Sequence, residues 1–228
     1  MIRVEVSKRD WRIQPPYLHE PYASTVRRSP RRPLVPLQPS LSELTGPAFN
    51  ADSVLPDDAD LTRVPGAAGE AIGQRIYVTG RILEEEGRPV ANALVEVWQA
   101  NAAGRYFHKA DQHEAPLDPN FFGFGRCPTD ANGAFHFETV KPGAIHAGDG
   151  RPHAPHLNVA VFARGMLVHA YTRMYFDGDA LDADPTLTLV DRERRGTLVG
   201  VRTGQGERAV YRWDIHLQGD RETVFFDA

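Results

Sequence analysis

The sequence has a single cysteine, Cys127, among its 228 residues. A lone thiol forms no internal disulfide, which accords with a reducing compartment. It also excludes thiolate clusters, so any metal would need His, Tyr, Asp or Glu as donors. No apolar run is long enough for a membrane span, and the opening MIRVEVSKRDWRIQPP lacks the apolar centre of a secretion signal. A cytoplasmic location is expected. Charge of neither sign dominates: the net charge is -4 and the pI near 6.1, with no broad attraction for nucleic acid or an anionic membrane. Neither is expected as a partner. Internal repeats and low-complexity tracts are lacking as well.

What is present suits one sizeable core with an arm, since 41% of the residues are hydrophobic. Residues 1–70 are rich in proline and arginine, as in QPPYLHEPY and RRSPRRPLVPLQPS, and hold no sustained period of 3.6 or 2. This predicts an extended N-terminal arm. The run Arg27, Arg28, Arg31 and Arg32 could face nucleic acid, but the prolines among it and the acidic balance favour docking on a neighbouring surface.

Residues 71–228 form the predicted domain. RIYVTGRIL, ALVEVWQA, GAFHFETV, HLNVAVFA, MLVHAYTRMYF and AVYRWDIHL are short β-branched and aromatic runs divided by turns such as DANG. Phe135 and Phe137 share one face with His136 on the other. The expected fold is all-β, an antiparallel β-sandwich with long loops and one short helix over DRERRGTLVGVR. The connection from Asn101 to Thr129 is long for a compact domain and carries Tyr106, His108, His113 and Asp118.

Three stretches carry a resemblance: LVEVWQANAAGRYFHKADQHEAPLDPNFFGFGRC, ETVKPG and APHLNVAVFARG. Together they resemble the intradiol ring-cleaving dioxygenases, in particular the protocatechuate 3,4-dioxygenase type. The resemblance implies a β-sandwich holding a non-haem Fe(III) through two tyrosines and two histidines, with no organic cofactor. It further implies cleavage of a catechol by O2, protocatechuate giving 3-carboxy-cis,cis-muconate. Such a ligand set is chemically apt, because Fe(III) is hard and pulls a phenol far below its free pKa of about 10. The family enzyme combines homologous α and β chains, of which the β chain carries the iron.

Carried onto this sequence, the first tyrosine is Tyr106 in GRYFH, while KPGAI puts Ile145 where the second should stand. The histidine pair becomes His156 and Asn158, and the arginine before it becomes His153. Only Tyr106 and His156 are retained as metal-ligand positions, and the losses resemble the α chain. The FARG arginine falls on Arg164, which the resemblance makes the candidate catalytic residue and implies reaches a neighbouring active site. The arm instead resembles the β chain, and Gly46-Pro47-Ala48 lacks the α chain's tyrosine after GP.

The expected role is a subunit with an incomplete iron site, partnered by a homologous β-type chain that supplies Fe(III). One alternative is a self-sufficient enzyme with a reorganised site of Tyr106, His146, His153 and His156. Another is a non-catalytic oligomerisation or aromatic-binding module. For Tyr106 and His156 the simpler expectation is a hydrogen-bonded pair in a closed pocket. His108, His113, His136, His169 and His216 read as structural, Cys127 as a small buried group, and Arg173 as one half of a salt bridge.

Overall fold

The computed structural model describes residues 16–37, 54–55, 57–146, 151–203 and 209–227. The first part of the arm, and Gly46-Pro47-Ala48 with it, lie outside the described residues.

The arm is not wholly extended. It contains helix α1 (Ala23–Arg28) and strand β1 (Val35–Pro36). Arg27 and Arg28 stand in the last turn of α1, where positive charge suits the carbonyl end, and Pro30 just beyond disfavours another turn. The domain follows with β2 (Arg75–Leu83), β3 (Leu94–Trp98), β4 (Phe124–Pro128) and β5 (Ala134–Val140). The short pair β6 (Ile145–His146) and β7 (Pro152–His153) precedes β8 (His156–Phe162) and β9 (Ala170–Phe176). The chain closes with β10 (Val199–Thr203), β11 (Ala209–Arg212), β12 (Ile215–His216) and β13 (Phe226–Asp227).

The all-β expectation holds, with a different strand arrangement. One hydrogen-bonded path runs β5-β2-β11-β10-β9-β8-β3-β4, and its ends, β4 and β5, lie against each other. The sheet is thus nearly closed into a barrel. Pairing is mixed: β2 runs parallel to β11 and β12, β9 to β10, and β1 to β13. Parallel neighbours need long crossovers, and the segment between β9 and β10, with its 3-10 turns, is long enough to supply one. The predicted helix over residues 191–202 is a 3-10 stretch, Arg192–Leu198, that gives way to β10. Gly196 and the β-branched Thr197, Val199 and Val201 favour that outcome over a regular helix.

Alternation decides which side chains fill the interior. On β5, Phe135 and Phe137 are buried and His136 is exposed, as the period of two predicts. On β8, Leu157, Val159 and Val161 enter the main apolar core, joined by Met174 from β9 and Val95 and Val97 from β3. The opposite face of β8 carries the buried polar side chains of His156 and Asn158, followed by the half-buried Ala160 and Phe162. Among the described residues no helix is long and apolar enough to cross a membrane.

The described arm packs on this body. The backbone N–H of Arg31 donates to Glu222 Oε2 at 3.1 Å, and Gln218 Nε2 donates to the Val26 carbonyl at 2.7 Å. β1 then pairs with β13, Val35 opposite Phe226.

Candidate functional site

Strand register assembles the site. Trp98 on β3 stands opposite Asn158 on β8, and Asn158 opposite Arg173 on β9. One rung along, His156 faces Tyr175; in the other direction, Ala160 faces Tyr171. Directly paired residues share a sheet face, so this row lies on the side turned away from the apolar core.

Tyr106 reaches that face from the connection after β3. Asn101 Oδ1 accepts from the N–H groups of Ala103 and Arg105, at 2.9 and 3.0 Å, and this turns the chain. Gly104 has φ +81, and a Cβ there would stand 2.0 Å from the Ala144 carbonyl oxygen, so the turn requires glycine. The N–H of Tyr106 donates to the buried carboxylate of Asp111 at 2.8 Å. Its ring stacks on Trp98 at 5.5 Å and shares a small apolar cluster with Ala100 and Ile145.

The phenol oxygen of Tyr106 accepts a hydrogen bond from Asn158 Nδ2 at 3.1 Å. Asn158 Oδ1 in turn accepts from the hydroxyl of Tyr171 at 2.8 Å. The amide is therefore used on both sides, by a donor and an acceptor of fixed place. His156 is fully buried, with Nδ1 2.8 Å from the Ala154 carbonyl and its ring 5.6 Å from that of Tyr175. A carbonyl only accepts, so Nδ1 carries a proton.

Beside this chain lies an ionic network for which the sequence offers no motif. The buried Asp184 carboxylate accepts from the N–H groups of Ala154, Thr186 and Leu187 at 2.8, 2.9 and 2.9 Å, and from the Tyr175 hydroxyl at 3.1 Å. It thereby ties the start of β8 to the turn at residue 186. Arg173 is wholly buried, at 0% exposure; its Nη1 donates to Thr186 Oγ1 at 2.8 Å, and it hydrogen-bonds Tyr175. Burial pushes the Tyr175 phenol well above its ordinary value, while the Arg173 charge acts in the opposite direction.

The other expected residues are dispersed. His153 is buried, its ring centre 6.3 Å from that of His156 and its Nδ1 4.0 Å from Asp184. His146 is exposed on the side of β6 opposite Ile145. His113 pairs with Asp111 at 2.5 Å, and His169 lies against Phe162. Cys127 is buried, and that burial raises its thiol pKa. Arg164 is exposed on the turn between β8 and β9, and its carbonyl accepts from Arg28 of α1. Gly165, at φ +97, closes that turn against α1, where a Cβ would lie 2.5 Å from Ser24 Cβ.

The roles of Arg173, Asp184 and Tyr171 were not evident from sequence. An arginine in the middle of the strand-forming run AYTRMYF was the available signal for the first.

Comparison with known proteins shows matching relatives across nearly the whole chain. A family model described as Dioxygenase matches residues 44–219, and one described as Protocatechuate 3,4-dioxygenase beta subunit N terminal matches residues 8–40. The protocatechuate 3,4-dioxygenase beta chain of Burkholderia cepacia is 45% identical, covering 94% of this chain and 94% of that one. The alpha chain from the same organism is also 45% identical, over 71% of this chain and 81% of its own length. Among solved structures, an intradiol ring-cleavage dioxygenase from Tetranychus urticae aligns with a TM-score of 0.56 at 19% identity, covering 81% of this chain and 96% of that one. At that identity the likeness speaks for the fold alone.

Proposed function

Because the chain belongs to the intradiol ring-cleavage dioxygenase family, and within it to the protocatechuate 3,4-dioxygenase group, we propose that it serves as a subunit whose catalytic iron is held by a homologous β-type partner. In the assembled enzyme, protocatechuate and O2 give 3-carboxy-cis,cis-muconate in the partner's site. The chain is read as an arm, residues 1–70, and a dioxygenase-type domain, residues 71–228, working in the cytoplasm.

The observation that carries this reading is the hydrogen bond from Asn158 Nδ2 to the Tyr106 oxygen. A ferric ion asks for phenolate and imidazole donors converging at close range. Here one phenolate position is Ile145, packed in an apolar cluster, and one imidazole position is a neutral amide already bonded on both sides. The remaining Tyr106 and His156 do not make a ferric site: the donor set does not fit the metal. They are retained ligand positions with a structural use.

Arg164 supplies the chain's contribution to chemistry. Its exposed guanidinium stands on a turn fixed by Gly165 and α1, suited to place positive charge beside the substrate carboxylate in a neighbouring subunit.

The test is to purify the chain alone and together with a β-type chain, and to read iron content and protocatechuate-dependent O2 uptake. Iron-free, inactive protein alone and an active complex are expected. Stoichiometric iron with a visible tyrosinate charge-transfer band in the chain alone would instead favour a reorganised site of Tyr106, His146, His153 and His156. No gain in activity or assembly with any β-type chain would favour a non-catalytic module.

A further inference from the structure

The turn between β8 and β9, which carries Arg164, is held from outside by the arm. Within the turn the Met166 N–H donates to the Ala163 carbonyl at 3.0 Å, and Met166 packs against the main core. The Arg164 carbonyl is taken by a side chain of another element, Arg28 Nη1 at the end of α1. A peptide unit is planar, so a bond on that carbonyl restrains the whole plane between Arg164 and Gly165. Gly165, at φ +97, closes the far side of this plane against Ser24 of α1. The plane and strand β8 together leave Arg164 little freedom in the direction of its Cα–Cβ bond.

Arg28 is restrained in its turn. Its Nε lies 3.7 Å from Glu84 Oε2, and the Glu84 side chain is only 9% exposed. Glu84 stands in the turn after β2, where its N–H donates to the Arg88 carbonyl at 2.9 Å and its other carboxylate oxygen lies 3.1 Å from Arg88 Nε. α1 itself is anchored by Gln218, whose Nε2 donates to the Val26 and Ser29 carbonyls at 2.7 and 2.5 Å. One guanidinium thus joins α1, the turn after β2 and the turn after β8.

We propose that Arg28, steadied by Glu84, is a positioning residue for Arg164: the arm aims the Arg164 side chain without touching substrate. The proposal rests on the role given to Arg164 above and names what directs it. A guanidinium suits the junction, because its nitrogens donate in fixed directions and can serve a carboxylate and a carbonyl at once. Aim matters for a long side chain, since a small rotation of the turn becomes a larger displacement at its tip, and about 1 Å of misplacement is enough to be felt at a reacting site.

The test is a double-mutant cycle in the assembled enzyme. R28A, R164A and R28A/R164A are each combined with a β-type chain, and O2 uptake is read with protocatechuate and with unsubstituted catechol. R28A is expected to raise KM for protocatechuate by about threefold or more, the range for coupled residues in contact, and to leave KM for catechol nearly unaltered. Added to R164A, it should change nothing further. Equal effects of R28A on both substrates, or the same effect with and without Arg164, overturn the proposal, because they describe a residue that only supports the fold. R164A raising KM while R28A does not overturns this inference alone; R164A without effect overturns the role of Arg164, and the proposal with it. The chain purified alone gives a reading that does not depend on that role: the Met166 N–H should exchange with solvent faster in R28A than in the wild type, and equal exchange overturns the proposal. Thermal melts confirm that each variant is folded. Should R28A not fold, R28K takes its place in every comparison, since one ammonium near Glu84 keeps the charge but not the two-way fork.

Discussion

Asn158 and Tyr106, separated by 52 residues in sequence, meet through a 3.1 Å hydrogen bond in which the amide donates to the phenol oxygen. The same amide receives the Tyr171 hydroxyl, so a short chain of polar contacts crosses this face of the sheet. Removing the phenol oxygen should therefore act on stability. Tyr106→Phe leaves the Asn158 Nδ2 buried without its acceptor, at a cost of about 1–3 kcal/mol. Urea unfolding of the isolated chain should show that loss.

Gly165 joins α1 to the turn that presents Arg164. Gly165→Ala introduces a Cβ 2.5 Å from Ser24 Cβ at a φ of +97, which side chains rarely adopt. Backbone strain of this kind costs on the order of 1–3 kcal/mol. Limited proteolysis should cut the arm near α1 faster in the variant, and, on the role proposed for Arg164, the assembled enzyme should lose protocatechuate turnover because the turn that carries this residue is displaced. Unchanged cleavage and turnover would show that the turn does not depend on the helix.

Arg164→Ala offers a more direct reading of that residue. If its charge meets the substrate carboxylate in a neighbouring subunit, KM for protocatechuate in the complex should rise by about tenfold or more, the lower end for a charge-assisted contact. KM for unsubstituted catechol, which has no carboxylate, should be nearly unaltered. Steady-state oxygen uptake with both substrates measures the difference.

His216 makes stability depend on pH. Burial, followed by the nearby Arg221 charge, lowers its pKa below the ordinary 6.5. The unfolded chain then binds the proton more readily than the folded one, so the contribution of His216 to stability is full above pH 6.5 and falls as pH drops from there toward the lowered folded value. His216→Gln should flatten that part of the profile. Chemical denaturation at several pH values between 5 and 7.5 checks it, and an identical slope in the variant would contradict the assignment.

Cys127 should be inert in the folded chain. Its burial disfavours the thiolate, which is the reactive form. Iodoacetamide at pH 8 should label it slowly under native conditions and quickly in urea, as mass spectrometry would show.

The strand runs and the inward placing of Phe135 and Phe137 were legible because alternation is a local property. Tyr106, Ile145, His156 and Asn158 were legible through motif positions, and the fold does bring them to one region. The mixed parallel pairing was not, since it depends on which distant strands become neighbours after a crossover. Arg173 and Asp184 escaped for a related reason. In sequence Arg173 reads only as one half of a salt bridge and Asp184 stands in no motif, and the β8–β9 register and the turn at residue 186 make them a buried network. The helix α1 lies in a proline-rich segment whose propensity is poor, and packing on Gly165 and Gln218 supplies what propensity lacks.

The most direct test of a partner-supplied iron is the metal stoichiometry of the assembled enzyme. Iron measured by mass spectrometry, against protein quantified by amino-acid analysis, should give one ion per pair of this chain and its β-type partner. Two ions per pair would mean that Tyr106 and His156 hold iron after all and would contradict the account.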